Sequence, residues 1–510
     1  MAEALRRRFE RQGVAVQVVE THISWVLLAG DFAYKIKKPV RLGFLDFSSL
    51  DARRHCCEEE LRLNRRLAAF LYLGLRPVLA TADGPALQGE GGDEVKGPVI
   101  DYAIQMRRLP PGSRASEHLA AGLLEARHLS RFAERLAAFQ RDAPVAAPAS
   151  GFGTPARVQS DLRGVADGLE ALHIALPPGL RAWLETQSQR LAGRWQRRLD
   201  EGWVREGHGD LHLDNLIVLG EDVTAFDCIE FDPAMRWIDV ISDVAFLVMD
   251  LLARGRTDLA FGFLNAWLEC SGDYGGLPLL RVYLVQRALV RALVAGLRER
   301  DRLVGSGPSV AGYLGLAAAW AGAGSPRLLI THGLPGSGKS HVSQRLLEVA
   351  GAVRVRSDVE RKRGAGLAMR ERSAPAARPA LYGPAATEAT YERLAWAACE
   401  ALDGGFPVIV DAAFLRRAER ERFHALALER RLPFHILDCQ APMDRLRERV
   451  RQRAERGADP SEADEPVLEL LAHTQEPLDA AEQAHALMVQ TGEPLDSPAL
   501  MRRWWGCEMP

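Results

Sequence analysis

The stretch LLITHGLPGSGKSHVSQRLLEVA, residues 328–350, decides the fold of the second half of the chain. It consists of an apolar run, a glycine-rich turn of the form GxxxxGK[ST] at residues 333–340, and a helical pattern. Glycines in such a turn let backbone N–H groups point inward, and the following helix adds the positive end of its dipole. The stretch therefore predicts a phosphate-binding loop between a strand and a helix.

The chain beyond this stretch alternates between predicted strands and helices. The runs AVRVRS, PVIVDA and FHILDC are apolar, and helical patterns separate them. This alternation is typical of βαβ units with a parallel sheet. We therefore predict an α/β P-loop NTPase fold for residues 327–510.

The residues of the glycine-rich turn each have a predicted part in ATP binding. Lys339 would neutralise phosphate charge, and the hydroxyl of Ser340 is a candidate Mg²⁺ ligand. The remaining candidates for contact with ATP are Gly333, Leu334, Pro335, Gly336, Ser337 and Gly338.

Two carboxylates follow strands of the predicted sheet. Asp358 lies just past the second strand, and Asp411 ends the third. The carboxyl ends of parallel strands face the crevice in which open α/β sheets bind ligands. One carboxylate is thus a candidate Mg²⁺ ligand and the other a candidate base for a substrate hydroxyl. Helix N-capping is the alternative for each.

The helical segment DRLRERVRQRAERG, residues 444–457, is rich in arginine. A solvated helix face in an arginine-rich chain explains most of these residues. Arg449 and Arg453 are four residues apart and share one face of the predicted helix. They are therefore candidates to close over the ATP phosphates as a lid.

The stretches GLPGSGKS, RSDVERKR, VIVDAAFLRRAERERF and LRERVRQRAERGADPSEAD together resemble the small P-loop kinases grouped with polynucleotide kinase, gluconate kinase and zeta toxins. The resemblance covers about residues 327–490. It implies ATP-dependent phosphoryl transfer to a hydroxyl, with Asp358 as the base or a substrate anchor, which leaves Asp411 as our candidate metal ligand. Residues 364–384, rich in Gly, Ala and Pro, are predicted to form a mobile insertion.

The first half carries a second motif, HGDLHLDN, at residues 208–215. An Asp five residues before an Asn, on a loop that opens into a strand, suits a base and a metal ligand. Asp210 is the candidate base and Asn215 the candidate Mg²⁺ ligand. Asp227, which ends the strand VTAFD, is a candidate second metal ligand, and spacing alone does not separate it from Glu230.

This half resembles the aminoglycoside phosphotransferase family, whose fold is like that of protein kinases. The match spans about residues 15–300 and rests on HGDLHLDN and FDCIEFDPAMRWIDVISDVAF, with support from FAYKIKK and EEELRLNRR. It implies a two-lobed α+β protein-kinase-like fold, in which Lys35 binds ATP phosphates and Glu60 orients Lys35. It also implies that Asp243 braces the catalytic loop. Lys37 shares the strand face of Lys35 by two-residue alternation.

The chain departs from the kinase pattern in one respect that concerns ATP. No GxGxxG loop precedes Lys35. The hairpin that covers ATP is therefore expected to work without such a loop.

Residues 304–326 are mostly small and are uncharged, as is typical of a linker. We therefore predict a kinase-like domain at residues 1–303, a linker with a closing helix at 304–326 and a P-loop domain at 327–510. The fusion of both halves in this order resembles a group of bacterial two-domain proteins that join a phosphotransferase-like domain to a P-loop kinase-like domain.

Composition and charge narrow the class of protein. The 510 residues are 47% hydrophobic and 26% charged, which is a globular composition. A formal charge of −2 argues against a dedicated nucleic-acid or membrane-surface protein. The seven cysteines include no CxxC pair, and neither an apolar membrane span nor a secretory signal is recognisable. These features predict a cytoplasmic protein.

The two motifs together predict a bifunctional kinase with two ATP·Mg²⁺ sites. Its expected acceptors are hydroxyls of small metabolites such as sugars, with no membrane partner and with nucleic acid not favoured. The alternative is a P-loop ATPase or kinase, including a nucleotide or polynucleotide 5′-hydroxyl kinase, that is regulated by a non-catalytic, ligand-sensing kinase-like domain.

Overall fold

The computed structural model of the chain describes residues 1–42, 45–89, 96–301, 307–374, 378–456 and 460–506. The chain forms two compact units. The first unit consists of Met1–Val158 and Ala192–Leu247, and the second consists of Gln159–Leu191 and Val248–Pro510. No helix in the described part of the chain combines the length and apolar content needed to cross a membrane.

The first unit begins with a six-stranded antiparallel sheet of order β1-β2-β3-β8-β6-β7, beside which β4 and β5 form a separate pair. The strands are β1 (Val16–Glu20), β2 (Ser24–Ala29), β3 (Phe32–Lys37), β4 (Arg41–Leu42), β5 (Leu45–Asp46), β6 (Tyr72–Thr81), β7 (Gly84–Leu87) and β8 (Val99–Arg107).

Each face of this sheet is covered by a helix. Helix α1 (Ala2–Arg11) buries apolar residues with Ile36 of β3, and α2 (Leu50–Ala68) buries Cys57 and Leu61 with Ala33 of the same strand. Because side chains alternate along a strand, Lys35 and Lys37 lie on the face of Ala33, toward α2. This arrangement places both lysines where residues of α2 can reach them.

The rest of the first half contains two short two-stranded sheets among helices. Strands β9 (Val204–Glu206) and β12 (Trp237–Asp239) pair, as do β10 (Leu216–Leu219) and β11 (Asp222–Ala225). The motif at 208–215 connects β9 to β10. The helices are α3 (Ala115–Ala120), α4 (Ala126–Asp142), α5 (Pro155–Ala171), α6 (Leu180–Asp200), α7 (Pro233–Arg236) and α8 (Val240–Ala253). These elements confirm the predicted α+β protein-kinase-like fold.

The second unit contains a five-stranded parallel sheet of order β14-β15-β13-β16-β17. Its strands are β13 (Arg327–His332), β14 (Val353–Arg356), β15 (Pro407–Asp411), β16 (Phe434–Gln440) and β17 (Ala486–Gln490). The central strand β13 leads into the glycine-rich turn. The predicted α/β P-loop NTPase fold is therefore confirmed.

The helices in this part of the chain are α9 (Thr257–Ser271), α10 (Leu277–Arg300), α11 (Val310–Ala321), α12 (Lys339–Ala350), α13 (Ser357–Gly364), α14 (Arg378–Leu381), α15 (Pro384–Asp403), α16 (Arg417–Glu429), α17 (Met443–Arg456), α18 (Glu465–Thr474), α19 (Ala480–Gln483) and α20 (Ser497–Trp505). Helix α11 lies inside the segment predicted to be a linker.

Helix α9 packs against the edge strand β14. The side-chain amide of Asn265 donates to the carbonyl of Ala352 at 2.9 Å and accepts from the backbone N–H of Arg354 at 2.6 Å. An asparagine thus satisfies backbone groups that a sheet edge otherwise leaves unpaired. The second unit therefore begins well before the predicted linker, and the domain boundary at 304–326 stays a prediction.

Candidate active sites

A buried ion-pair network surrounds Glu60 of α2. Lys35 Nζ donates to Glu60 Oε1 at 2.8 Å and to Asp227 Oδ1 at 2.6 Å. Lys37 Nζ donates to Glu60 Oε2 at 2.7 Å and also to Glu230. We call these five residues the β3 lysine network. The predicted pairing of Lys35 with Glu60 is present, whereas sequence reasoning assigned no partner to Lys37.

The charges of the β3 lysine network stabilise one another. Burial opposes ionisation of Glu60, but the two lysines outweigh burial and hold the pKa of Glu60 below its usual value. Burial also opposes the charge of Lys35, yet Asp227 and Glu60 raise the pKa of Lys35 well above its usual range. For Glu230, burial prevails over the attraction of Lys37 and raises the pKa of Glu230. Unpaired, the buried charges of Lys37 and Glu60 would be strongly destabilising.

Asp227 and Glu230 occupy different environments. The side chain of Asp227 is 43% exposed, whereas that of Glu230 is 4% exposed and bonded to Lys37. Asp227 has φ +62°, a left-handed conformation in which Asp is enriched among non-glycine residues. Its backbone N–H donates to the hydroxyl of Tyr72 at 3.2 Å. Asp227 is therefore the more accessible of the two candidate metal ligands.

The loop that carries Asp210 is held by Asp243 of α8. The backbone N–H groups of His208 and Gly209 donate to the two carboxylate oxygens of Asp243 at 2.7 and 2.8 Å. Gly209 has φ +86°, and a Cβ there would lie 2.6 Å from the carbonyl oxygen of Met235. Only glycine fits this position. The bracing role that the family resemblance implies for Asp243 thus has a direct geometric basis.

Two side chains orient the carboxylate of Asp210. Asn215 Nδ2 lies 2.9 Å from Asp210 Oδ2, and His212 Nε2 lies 3.3 Å from the same oxygen. The Nδ1 of His212 accepts from the backbone N–H of Asp214, so Nε2 is the ring nitrogen that can donate to Asp210. Since its amide nitrogen donates to Asp210, Asn215 would offer its side-chain oxygen to a metal. Oxygen ligands from Asn215 and Asp227 suit Mg²⁺.

The P-loop of the second unit depends on glycine at each of its turns. Gly333, Gly336 and Gly338 have φ of +136°, +82° and +87°. A Cβ at Gly336 would lie 2.8 Å from the carbonyl oxygen of Leu446, and one at Gly333 would lie 2.5 Å from that of Cys439. Left-handed backbone and close approach both exclude other residues here.

Lys339 lies against the P-loop that it follows. Its Nζ donates to the carbonyl of Gly333 at 2.6 Å and to that of Leu334 at 2.9 Å. Burial lowers the pKa of Lys339, while Asp411 and, more weakly, Asp358 oppose that shift. Both predicted carboxylates therefore lie close enough to Lys339 to act on its charge.

Neither predicted carboxylate of this site caps a helix. Asp411 is the last residue of β15, and Asp358 lies inside the first turn of α13, whose N-cap is Arg356. Ser343 of α12 donates its hydroxyl to Asp411 Oδ2 at 3.3 Å. The oxygens of Asp411 and Ser340 form a donor set that fits Mg²⁺.

Arg449 and Arg453 of α17 bond differently. Arg449 donates to the carbonyl of Gly336 at 3.2 Å and to the carbonyl of Thr491 at 2.7 Å. Arg453 donates to the carbonyl of Ala463 at 2.8 Å. Arg449 therefore touches the P-loop backbone, and its role as a lid over phosphates stays a prediction, as does that of Arg453.

Thr491 is a residue of this site that sequence reasoning missed. Its hydroxyl donates to the carbonyl of Ser337 at 2.7 Å, and Arg449 donates to the same hydroxyl at 2.9 Å. Thr491 directly follows β17, at the carboxyl end of a parallel strand. The rule that selected Asp411 could therefore have selected Thr491 as well.

The described part of segment 364–384 is bonded to a buried ion pair. Lys362 Nζ lies 3.1 Å from Glu462 Oε1 and donates to the carbonyl of Glu371 at 2.7 Å. The backbone N–H of Ser373 donates to Glu462 Oε1 at 2.9 Å. These bonds join the described part of the segment to Lys362 and Glu462, and the mobility of the insertion stays a prediction.

The comparison with known families matches the part of the chain that carries the P-loop. Residues 328–478 match the family described as AAA domain. The match, the parallel sheet and the P-loop define the C-terminal part of the chain as a P-loop nucleotide-binding domain.

Other known proteins match a larger share of this chain. An uncharacterized protein of Mycobacterium tuberculosis (strain ATCC 25618 / H37Rv) is 29% identical over 454 residues, which are 87% of this chain and 87% of that protein. Among solved structures, a choline/ethanolamine kinase family protein from Mesorhizobium loti covers 60% of this chain and 86% of its own, with 12% identity and a TM-score of 0.34. A sugar kinase from Janibacter sp. HTCC2649 covers 36% of this chain and 95% of its own, with 17% identity and a TM-score of 0.27.

Proposed function

We propose that this chain is a bifunctional ATP-dependent kinase of the cytoplasm that transfers the γ-phosphoryl group to hydroxyls of small metabolites such as sugars. One ATP·Mg²⁺ site would lie in the predicted domain at 1–303 and the other in that at 327–510. The observation that carries the proposal is the arrangement of the predicted residues in the first unit. There Lys35 is paired with Glu60, Asp210 is oriented by two donors, and Asp227 is accessible.

In the first site, Lys35 would bind ATP phosphates while Glu60 keeps it in place. Asn215 and Asp227 would hold Mg²⁺, which would neutralise charge on the phosphates. Asp210 would orient the acceptor hydroxyl and accept its proton. His212 supports this role, because its Nε2–H fixes one carboxylate oxygen of Asp210.

The hairpin β1–β2 takes the place of a glycine-rich loop in this proposal. Lys38 Nζ donates to Glu20 Oε1 at 2.6 Å and to the carbonyl of Thr21 at 2.5 Å, and it lies 5.5 Å from the ring centre of Trp25. These contacts stiffen a hairpin that has no glycine between residues 16 and 29. We propose that this braced hairpin covers ATP through side chains instead of through glycine backbone.

In the second site, the P-loop and Lys339 would bind ATP phosphates, and Ser340 and Asp411 would hold Mg²⁺. Asp358 would act as the base or anchor the acceptor. A small acceptor is favoured over nucleic acid, because three arginines of α17 are paired with acids, which lowers the positive charge that this helix would offer to phosphates. The pairs are Arg445–Glu448, Arg447–Glu469 and Arg451–Glu465.

The test is ADP release with a panel of sugars, nucleosides, aminoglycosides and 5′-hydroxyl oligonucleotides. Wild type is compared with Asp210→Asn and Lys339→Ala, and with the exposed controls Asp222→Asn and Lys96→Ala. We expect Asp210→Asn to abolish one activity, by about a hundredfold or more, and to leave a second one that Lys339→Ala abolishes.

The same panel separates the alternatives. If Asp210→Asn leaves every activity unchanged, the first half is not a catalyst and the bifunctional proposal fails. A P-loop activity that responds to Lys35→Ala but not to Asp210→Asn would instead support a ligand-sensing kinase-like domain. Phosphorylation of the oligonucleotides alone would identify a 5′-hydroxyl kinase.

A further inference from the structure

Two arginines of β14 converge on one carboxylate of α9. Arg354 Nη2 donates to Glu269 Oε1 at 2.8 Å, and Arg356 Nη1 donates to Glu269 Oε2 at 3.5 Å. The two arginines are two residues apart, so their side chains leave the strand on the same face. All three side chains are largely buried. Burial opposes the charge of Glu269, but both arginines outweigh it and lower the pKa of Glu269.

Arg356 also faces the predicted metal ligand of the P-loop site. Its Nε lies 3.8 Å from Asp411 Oδ2. Arg356 and Asp411 are paired positions of the neighbouring strands β14 and β15, which brings their side chains together. The guanidinium of Arg356 therefore lies between two carboxylates, those of Glu269 and Asp411.

Arg354 extends the same group of contacts to α12. Its Nη1 donates to the carbonyl of Ser340 at 3.3 Å and to the hydroxyl of Ser343 at 3.4 Å. Ser340 is the other predicted Mg²⁺ ligand. Glu269 is thus linked to both predicted Mg²⁺ ligands through one arginine each. Arg356 connects it to Asp411, and Arg354 connects it to Ser340.

The position of Arg356 matters for a metal because arginine and Mg²⁺ compete for carboxylate oxygens. A guanidinium that bonds Asp411 directly would occupy its lone pairs and cancel its charge. Glu269 attracts Arg356 in the opposite direction and leaves Asp411 to the metal. Without a negative charge at position 269, Arg356 would move toward Asp411.

We propose that Glu269 is a positioning residue of the P-loop site, whose carboxylate holds Arg356 away from Asp411 and thereby maintains the affinity of the site for Mg²⁺. This inference rests on the proposed binding of ATP·Mg²⁺ at that site. Glu269 comes from the segment predicted as the kinase-like domain. Residues before the predicted domain boundary would therefore set the metal affinity of the P-loop site.

The experiment measures ADP binding to the full chain by calorimetry, in EDTA and across a MgCl₂ series. The variant is Glu269→Gln, which keeps the shape of the side chain and removes its charge. We expect the Mg²⁺ concentration that gives half of the full effect on ADP binding to rise by about tenfold to a hundredfold. Losses of other groups that orient a metal ligand have effects of this size. ADP binding in EDTA should stay unchanged. The exposed control Glu388→Gln should behave as wild type.

A second variant distinguishes positioning from general damage to the fold. In the double variant Glu269→Gln, Arg356→Gln, no guanidinium competes at Asp411, and the Mg²⁺ dependence should return to that of wild type. The inference would be overturned if the double variant kept the raised Mg²⁺ requirement for ADP binding, or if Glu269→Gln alone left that requirement unchanged.

A failure of Glu269→Gln to fold leaves a second measurement. Arg356→Gln is then measured alone. An unchanged or lower Mg²⁺ requirement for ADP binding supports the inference, and a higher one overturns it. The proposed function fails separately, if the wild-type chain binds ADP with no dependence on Mg²⁺ or if Lys339→Ala does not weaken ADP binding.

Discussion

Replacement of Lys37 by methionine tests the β3 lysine network most directly. Lys37 and Glu60 have side chains that are 0% exposed, and the side chain of Glu230 is 4% exposed. Lys37→Met leaves the carboxylate of Glu230 without its lysine partner and leaves Glu60 with Lys35. Methionine fills much of the same volume, so the change removes charge and little packing.

The expected loss of stability follows from this burial. Removing one partner of a buried ion pair costs about 3–5 kcal/mol, because the remaining charge stays buried. Removing both partners is much less costly, so we expect Lys37→Met combined with Glu230→Gln to recover most of the loss. As a control, Arg54→Met on α2 breaks an exposed pair with Glu58 and should cost less than about 1 kcal/mol.

Hydrogen exchange of the backbone amides of β3 and α2 is the suitable assay. The chain has two compact units, so a single free energy of unfolding for the whole molecule is not well defined. Exchange reports the opening free energy of these elements separately. A loss below about 1 kcal/mol in Lys37→Met, or a double variant as unstable as the single one, would refute the reasoning.

Three more predictions concern single residues. Asp243→Asn weakens two hydrogen bonds to the loop that carries Asp210 and should lower the kcat of the proposed first site by about tenfold to a hundredfold, with the proposed P-loop activity unchanged in the same assay. Gly336→Ala places a Cβ 2.8 Å from the carbonyl of Leu446 and should abolish ADP binding at the P-loop in calorimetry. Burial lowers the pKa of His435 from 6.5 to about 4 in the folded chain. Because the unfolded chain then binds more protons between those values, stability should fall as the pH drops from 6.5 to 4. Exchange of the β16 amides should show that slope in wild type and lose it in His435→Gln.

Many of the residues that the sequence predicted for the two sites lie in two contiguous motifs. Residues 333–340 and 208–215 each need only local geometry, since glycine conformations and helix starts depend on near neighbours. The positions of these two motifs could therefore be predicted from the amino-acid sequence. The pairing of Lys35 with Glu60 came from family resemblance, because nothing local in the chain links the two residues.

The missed contacts join segments that are far apart in the sequence. Lys37 and Glu230 are separated by 193 positions, and Asn265 and Ala352 by 87. Strand alternation placed Lys37 on the correct face, but the identity of its partner depends on how α2 and the loop after β11 pack. Composition likewise marked residues 304–326 as a linker, but it carries no information on the contact of α9 with β14.

The contact of α9 with β14 makes a further prediction about the P-loop sheet. A fragment of residues 327–510, cut at the predicted boundary, would lack both Asn265 and Glu269. Its edge strand β14 would lose the amide that bonds Ala352 and the backbone N–H of Arg354. Arg354, which is buried in the chain, would lose its carboxylate partner, and such a loss costs about 3–5 kcal/mol.

That loss is a large part of the free energy of unfolding of an ordinary domain, which is about 5–15 kcal/mol. An uncovered sheet edge also favours association with other chains. We therefore expect the fragment 327–510 to aggregate, or to exchange its β14 and β15 amides much faster than the full chain does. A monomeric fragment with the exchange protection of the full chain would show that α9 is dispensable for the sheet. The predicted boundary at 304–326 would then divide two independently stable domains.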